Sequence, residues 1–317
     1  MREIDSLLIT GGSGFVGQSL LDYLSELPET DLPRKIGLTT RGTVVRVPES
    51  LMKKINVEQI SCDLREPWKF RFSATHVINL AADGSSNAYS SDAANEFALL
   101  TKNLATWCRT QNIPTVFQAS SGACFGHYPI SSKPDKFHHQ GERLLGNPGL
   151  NDRKKVFLES RIAAEETLRL LEHESVINLR IGRLFSFVGK HLRQKPHYAL
   201  SAFVNMAERS KNIEITGNPL TVRSYLSSKE MASWIYRALN PNLDSSVLSI
   251  GSAHPVTMIE LAKFIAELSH SEITVMNPEV EGDIYVANNQ DTCGRLQVIE
   301  SESWQNSVID YMGLNRR

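Results

Sequence analysis

The sequence has few cysteines and no long apolar run. Its four cysteines are Cys62, Cys108, Cys124 and Cys293, and none forms a Cys-x-x-Cys pair. A zinc site and a disulfide framework are therefore not expected. The cysteines are expected to be free thiols in a reducing, cytoplasmic compartment. Because no stretch of about 18–20 apolar residues occurs, no membrane-spanning helix is predicted. The short apolar run that follows the acidic Met1–Asp5 segment does not have the pattern of a signal peptide.

An excess of charge of either sign is also lacking. Lysine and arginine number 34 against 35 aspartates and glutamates, a net charge of −1. This balance gives no electrostatic reason to expect binding to nucleic acid or to an acidic membrane surface. Hydrophobic residues make up 41% of the chain and charged residues 22%, as in globular proteins. A length of 317 residues suggests about two domains.

Short apolar runs alternate with helical patterns through the first half of the chain, which predicts an α/β fold with a doubly wound, Rossmann-type parallel sheet. A smaller α/β substrate domain is expected towards the C-terminal end. The segment 122–153 lacks periodicity and is predicted to be a functional loop. The tail after Val275 is predicted to be irregular. Predicted strands are Ser6–Thr10, Lys35–Thr39, Val57–Cys62, His76–Leu80, Thr115–Ala119 and Val176–Ile181, with helices over Phe15–Leu27, Ala93–Thr110 and Lys154–His173.

A glycine-rich turn follows the first predicted strand. Gly11, Gly14 and Gly17 stand between that strand and an amphipathic helix, with the spacing GxxGxxG. The first glycine permits a tight turn, the second lets backbone N–H groups approach a pyrophosphate, and the third lets the helix pack closely on the strand. The helix N-terminus then presents its positive dipole end to the anion. The turn therefore predicts a dinucleotide-binding site.

The end of the second strand favours NADP over NAD. Dinucleotide folds commonly hold the ribose 2′-hydroxyl of NAD with an acidic residue about 20 positions after the glycines. Here the strand ends Leu38-Thr39-Thr40-Arg41 and contains no carboxylate. Hydroxyl groups and a guanidinium suit a phosphate dianion, so Arg41 is predicted to contact a 2′-phosphate.

Taken in order, several further motifs make the chain resemble the extended short-chain dehydrogenase/reductase family, whose members include nucleotide-sugar epimerases, dehydratases and reductases. The resemblance covers nearly the whole chain. It rests on the glycine turn together with Cys62-Asp63-Leu64, Asn79-Leu80-Ala81-Ala82, Asn95, the segment Ala119-Ser120-Ser121-Gly122-Ala123-Cys124-Phe125-Gly126, the segment Arg180-Ile181-Gly182-Arg183-Leu184-Phe185-Ser186-Phe187-Val188-Gly189, and Val222-Arg223-Ser224-Tyr225-Leu226.

The resemblance implies a role for each matching position. It places the family's catalytic Ser/Thr at Ser121, and it implies a nucleotide-sugar substrate contacted by Ser120, Ser186 and Arg223, of which Arg223 corresponds to the arginine that holds a diphosphate. It also implies a homodimer formed by the helices 93–110 and 154–173. The implied cofactor-binding residues are Gly11, Gly14, Phe15, Val16, Gly17, Arg41, Asp63, Leu64, Leu80, Ala81, Ala82 and Arg161.

The chain departs from the family at its catalytic signature, Tyr-x-x-x-Lys. The matching positions are occupied by Phe157 and Arg161. Phenylalanine has no ionisable proton and cannot act as a general acid or base. Arginine keeps the positive charge and could still bind ribose, but it is planar and is never deprotonated. Because Gly122 and Ala123 stand where the family's dehydratases have Asp-Glu, 4,6-dehydration by that pair is disfavoured.

A substitute proton donor is sought in the loop after the fifth strand. Tyr128 is the main candidate, and His127, His138 and His139 lie in the same predicted loop. Two hypotheses follow. The chain is either an NAD(P)-dependent nucleotide-sugar epimerase or reductase with a non-standard proton donor, or a catalytically silent relative that binds NAD(P) or a nucleotide sugar. The predicted domains are 1–182 plus 222–251 for the dinucleotide and 183–221 plus 252–317 for the substrate.

Overall fold

The structure is a computed structural model that describes residues 4–42, 44–82, 89–126, 128–129, 152–192, 198–209, 211–244 and 246–314. Its helices are α1 (Phe15–Glu26), α2 (Glu49–Met52), α3 (Ser91–Gln111), α4 (Asp152–His173), α5 (Ala199–Arg209), α6 (Ser228–Arg237), α7 (Met258–Ser269), α8 (Gln290–Leu296) and α9 (Trp304–Tyr311). Its strands are β1 (Ser6–Thr10), β2 (Lys35–Thr40), β3 (Asn56–Ser61), β4 (His76–Asn79), β5 (Thr115–Ser121), β6 (Tyr128–Pro129), β7 (Asn178–Leu184), β8 (Phe187–Val188), β9 (Asn212–Ile215), β10 (Val222–Arg223), β11 (Leu226–Ser227), β12 (Ser246–Ile250), β13 (Val256–Thr257), β14 (Glu272–Val275) and β15 (Asp283–Tyr285).

A seven-stranded sheet has the strand order β12-β7-β5-β4-β1-β2-β3, and its strands lie between Ser6 and Ile250 of the chain. Strands β1 to β5 and β7 run parallel, with Leu8 of β1 opposite Gly37 of β2 and Val77 of β4. All five residues of β1 are buried, as expected for a strand covered on both faces. The strand order reverses between β1 and β4, which is the point where such sheets bind ligands. The predicted Rossmann-type α/β fold is confirmed.

The chain forms two compact units that are interleaved in sequence. One unit comprises Met1–Cys124, Leu150–Leu184 and Ala232–Leu248, and the other comprises Phe125–Gly149, Phe185–Met231 and Ser249–Arg317. The sequence-based division instead assigned residues 222–231 to the dinucleotide domain. In the structure β10 pairs with β13 and β15 of the second unit, and this pairing makes residues 222–223 part of the second unit.

The second unit contains small sheets and helices of its own. A four-stranded sheet has the order β13-β10-β15-β6, and β9 pairs in parallel with β14. Helix α7 begins with a capping box in which the Thr257 hydroxyl accepts from the Glu260 N–H and the Glu260 carboxylate accepts from the Thr257 N–H. Among the described residues, no helix has the length and hydropathy needed to span a membrane.

The prediction that the tail after Val275 is irregular is wrong, because it contains β15, α8 and α9. These elements have 3 to 8 residues, too few to show a clear hydrophobic period, and β15 forms by pairing with the distant strands β10 and β6. The predicted loop at 122–153 falls mostly outside the described residues. Within the described part, Gly122–Phe125 forms a 3₁₀ turn and α4 already begins at Asp152.

Candidate functional site

The glycine-rich turn brings the end of β1 against the end of β4. Gly11 has a φ of +69°, and a Cβ atom added there would lie 2.6 Å from the Leu80 carbonyl oxygen. A Cβ added at Gly17 would lie 2.6 Å from the Gly11 carbonyl oxygen, so α1 packs directly on the turn. Gly14 caps α1 without a side-chain hydrogen bond. The turn thus has the shape of a backbone cradle that side chains would fill, and this shape fits a dinucleotide pyrophosphate.

A buried chain of polar side chains supports this cradle from below. The Thr10 hydroxyl donates to Asn79 Oδ1, and Asn79 Nδ2 donates to Gln118 Oε1 at 2.8 Å, so the chain crosses β1, β4 and β5. The same Thr10 oxygen accepts from the N–H groups of Leu80 and Ala81, each at 3.2 Å. Because buried polar groups are costly unless hydrogen-bonded, this network fixes Leu80 and Ala81 beside Gly11.

Charged side chains lie beyond the ends of β2 and β3. Arg41 is exposed and its guanidinium is 3.9 Å from the Glu96 carboxylate. Asp63 accepts hydrogen bonds from the side chain and the backbone N–H of Arg65, which lower the pKa of Asp63 to about 2. The Leu64 carbonyl accepts from Trp68 Nε1 at 3.1 Å and from Asn103 Nδ2 at 3.0 Å. The predicted cofactor roles of Arg41, Asp63 and Leu64 remain predictions.

The two serines at the end of β5 have different surroundings. The Ser121 hydroxyl is half-buried and accepts from the Ala123 N–H at 3.2 Å. Ser120 is buried, and its hydroxyl donates to Glu165 Oε1 of α4 at 2.6 Å. Arg183 of β7 donates to both oxygens of Glu165, at 3.0 and 2.7 Å. The Ser120 hydroxyl therefore takes part in a buried network that ties α4 to the sheet, and its predicted contact with substrate remains a prediction.

Cys124 adjoins this network, with its Sγ atom 3.6 Å from Ser120 Oγ. Burial raises the pKa of the Cys124 thiol to about 11. The thiol packs with Leu158 and Ile162 of α4 in a small apolar cluster. A buried, protonated thiol is a poor nucleophile, so the cysteine contributes to packing.

The two substituted positions of the catalytic signature form an aromatic–cation stack. The Arg161 guanidinium carbon lies 3.5 Å from the centre of the Phe97 ring and 4.6 Å from the centre of the Phe157 ring. Arg161 is buried, with 8% of its surface exposed. A desolvated cation over an aromatic face is stabilised by about 2 kcal/mol. The predicted contact of Arg161 with a ribose remains a prediction, and the stack now defines the orientation of its side chain.

A tyrosine that the sequence reasoning missed lies beside position 157. The ring of Tyr89 is 5.0 Å from the ring of Phe157, centre to centre, and Tyr89 is 42% exposed. A phenol is thus present next to the position where the family has one. No motif marks Tyr89, since it precedes α3 in a segment without hydrophobic periodicity and is 68 residues distant from Phe157 in the chain.

Tyr128, the substitute donor chosen from sequence, lies in β6 of the second unit. Its backbone pairs with Ile284 of β15, and the residue's side chain is outside the described part of the structure. His127, His138 and His139 also lie outside the described residues. The choice of Tyr128 therefore stays a prediction.

The predicted substrate contacts Ser186 and Arg223 both belong to the second unit. Arg223 Nη2 donates to Asp283 Oδ1 at 2.7 Å, and its Nη1 donates to the Asp283 carbonyl at 3.2 Å. The Ser186 carbonyl accepts from the Leu226 N–H at 3.1 Å. The Arg223 guanidinium is thus paired with the Asp283 carboxylate, and the predicted contacts of Arg223 and Ser186 with a substrate remain predictions.

Comparison with known proteins supports a dinucleotide-binding fold. A model of the NAD dependent epimerase/dehydratase family matches residues 7–251. UDP-glucuronic acid decarboxylase 3 of Arabidopsis thaliana is 23% identical over 281 residues, which cover 87% of this chain and 75% of that protein.

Two solved structures share the fold at low sequence identity. A dTDP-glucose 4,6-dehydratase from Bacillus anthracis in complex with NAD has a TM-score of 0.77 and 17% identity, over 98% of this chain and 96% of that one. A Tyr-to-Phe variant of UDP-glucuronic acid 4-epimerase from Bacillus cereus, in complex with UDP-4-deoxy-4-fluoro-glucuronic acid and NAD, has a TM-score of 0.77 and 18% identity, over 98% and 99% of the two chains.

Proposed function

Because the chain belongs to the NAD dependent epimerase/dehydratase family, a family of enzymes, we propose that it is an NAD(P)-dependent nucleotide-sugar epimerase or reductase whose proton donor is not at position 157. The observation that carries the proposal is the cradle at Gly11 and Gly17, where an added Cβ would lie 2.6 Å from backbone oxygens. The absence of side chains leaves the backbone N–H groups of the turn open to a pyrophosphate, and at Gly17 it also lets α1 pack closely on the turn. The relatives named above act on UDP and dTDP sugars, which supports the substrate class.

The cofactor supplies the redox chemistry when bound, and the residues of the chain orient the ligands. Backbone N–H groups at the start of α1 would hold the pyrophosphate, and the Ser121 hydroxyl would donate a hydrogen bond to a sugar oxygen. The solved relatives contain NAD, whereas the end of β2 here has hydroxyls and Arg41 in place of a carboxylate. We therefore propose NADP as the preferred cofactor.

Tyr89 is the proposed substitute for the missing catalytic tyrosine. Its ring packs on the Phe157 ring at 5.0 Å, and 42% of its surface remains exposed. The Arg161 guanidinium carbon lies 4.6 Å from the centre of the same Phe157 ring. Tyr128, the donor favoured by sequence, is the alternative.

The experiment combines the purified protein with NADP or NAD and a panel of UDP, dTDP, GDP and CDP sugars. Products are followed by chromatography and by absorbance of the reduced nicotinamide. Tyr89→Phe is expected to lower kcat by about 10²–10⁴-fold, the usual effect of removing a general acid–base. Tyr198→Phe is the matched control, since Tyr198 is 44% exposed and lies in the second unit. Unchanged turnover in Tyr89→Phe with loss in Tyr128→Phe would assign the role to Tyr128.

A second candidate function is supported by the Arg161 stack. A silent NAD(P)- or nucleotide-sugar-binding protein needs no proton donor, and the burial of Arg161 between Phe97 and Phe157 is stable without one. Cofactor binding without turnover of any sugar would favour this candidate. The double variant Phe157→Tyr/Arg161→Lys tests it further, because activity that appears only in the double variant points to a silent parent. Loss of an existing activity in that variant would instead support a substitute donor.

We also propose that α3 and α4 form the interface of a homodimer. Leu99 of α3 and Leu170 of α4 are 41% and 61% exposed, although both are large apolar side chains. Exposed apolar residues on adjacent helices are typical of association surfaces. Light scattering after size exclusion is expected to give twice the 35.4 kDa chain mass, and Leu170→Glu is expected to give the monomer.

A further inference from the structure

The connection between β2 and β3 folds back towards the glycine turn. At Val45 the backbone N–H donates to Gln59 Oε1 at 3.0 Å, and Gln59 Nε2 donates to the Val45 carbonyl at 2.7 Å. A side-chain amide of β3 thus pairs with Val45 as a neighbouring strand would. The Val45 side chain is buried, with 2% of its surface exposed. Hydrogen bonds at Val45 therefore hold the β2–β3 connection against the sheet.

The same connection is also fastened to the glycine turn. Gln18 Nε2, on α1, donates to the Gly12 carbonyl at 2.8 Å and to the Arg46 carbonyl at 3.1 Å. A Cβ added at Gly12 would lie 3.3 Å from Val45 Cγ1, so Val45 packs against the turn itself. One amide nitrogen consequently joins the backbone of Arg46 to the backbone of the dinucleotide cradle.

Arg46 differs from its basic neighbours in its electrostatic partners. Arg41 lies 3.9 Å from Glu96, and Arg65 pairs with Asp63. Arg46 is exposed, and within the part of the chain that the structure describes it has no carboxylate within 4.0 Å. The guanidinium groups of Arg41 and Arg65 are therefore paired with carboxylates, whereas the guanidinium group of Arg46 has no such pairing among the described residues.

We propose that Arg46 is the principal cation that binds the 2′-phosphate of NADP and so determines the cofactor preference, with Arg41 in a lesser role. The inference rests on the proposed dinucleotide function. A phosphate dianion favours a guanidinium, which donates two parallel hydrogen bonds to it. NAD has a neutral 2′-hydroxyl and gains nothing from Arg46.

The test measures dissociation constants of NADP and NAD by titration calorimetry on the full chain. Arg46→Gln is expected to weaken NADP binding by about 10- to 100-fold, the range for one charge-assisted contact, and to change NAD binding less than about 2-fold. Arg41→Gln is expected to have a smaller effect on NADP because Glu96 already engages Arg41. Arg34→Gln is the matched control, an exposed arginine beside Asp5 immediately before β2, at the opposite end of that strand.

The outcomes separate this inference from the proposed function. Binding of both dinucleotides, with a ratio of affinities that Arg46→Gln leaves unchanged, would overturn the role of Arg46 and leave the proposed function standing. Loss of the NADP preference in Arg41→Gln alone would overturn it in the same way. Binding of neither dinucleotide by the unaltered protein would overturn the proposed function, and this inference with it.

A double-mutant cycle tests the fastening of the connection. Gln59→Leu removes both hydrogen bonds to Val45 and is expected to weaken NADP binding several-fold more than NAD binding. If Gln59 acts by positioning Arg46, the effect of Gln59→Leu disappears in the Arg46→Gln background. Additive effects would show that Gln59 does not act through Arg46. Thermal melting of each variant identifies any loss of folded protein.

Discussion

Removal of the Glu165 carboxylate is expected to destabilise the first unit strongly. Glu165 joins α4 to the sheet through Arg183 of β7 and Ser120 of β5, with donor–acceptor distances of 2.6 to 3.0 Å. The side chains of Arg183 and Glu165 are only 4% and 1% exposed. Glu165→Gln keeps the shape of the side chain but removes its charge, so a buried guanidinium loses its counter-charge.

The expected magnitude follows from this burial. Breaking a buried ion pair by removing one partner costs about 3–5 kcal/mol, because the remaining charge has neither water nor a partner. An exposed pair contributes about 0–1 kcal/mol. The matched control is therefore Glu174→Gln, because Glu174 pairs with Arg109 at 2.5 Å while the two side chains are 50% and 54% exposed. The free energies of unfolding of the two variants should therefore differ by about 2–5 kcal/mol.

Urea unfolding followed by tryptophan fluorescence provides the measurement. Three of the four tryptophans, Trp68, Trp107 and Trp234, lie in the same unit as Glu165, so the signal reports on that unit. The double variant Glu165→Met/Arg183→Met leaves no unpaired charge and should recover most of the loss. Equal unfolding free energies for Glu165→Gln and Glu174→Gln would show that burial of the Glu165–Arg183 pair does not set the cost, as would a double variant less stable than Glu165→Gln.

Two further predictions concern the cradle and a buried histidine. Gly17→Ala places a Cβ 2.6 Å from the Gly11 oxygen and should weaken dinucleotide binding more than about 10-fold. A Cβ at Gly294 meets nothing within 4 Å, so Gly294→Ala should leave binding unchanged and stabilise α8 by ~0.5–1 kcal/mol. Titration calorimetry measures binding and thermal melting measures stability, and equal binding by both variants would contradict the cradle. Burial, with a smaller contribution from the charge of Arg180, lowers the pKa of His76 to about 4. Between pH 4 and 6.5 the unfolded chain therefore binds more protons than the folded chain. The free energy of unfolding should consequently rise with pH across that window by about 3 kcal/mol. His76→Asn should flatten this slope in acid unfolding curves, the exposed His254→Asn should not, and a slope that persists in His76→Asn would exclude His76 as its source.

Local sequence patterns predicted the parallel sheet and the dinucleotide turn. The buried strand β1, the glycines and the amphipathic α1 are contiguous, and each has a period or a spacing that the backbone itself requires. The short strands β10 and β15 were missed because 2 or 3 residues define no period, and they exist only through pairing across 60 residues of chain. The resemblance to the extended short-chain dehydrogenases is confirmed by the family match.

Residue identity and local order are sufficient to predict the family, the Rossmann-type fold and the lack of a phenol at Phe157. Which side chains meet depends on the packing of the folded chain. That packing placed Tyr89 on Phe157, Arg161 on Phe97, and the backbone of Arg46 against the glycine turn through Gln18. These contacts join residues 28 to 68 positions apart along the chain. No hydrophobic period or motif spacing encodes such separations, because they arise from how helices and connections pack on the finished sheet.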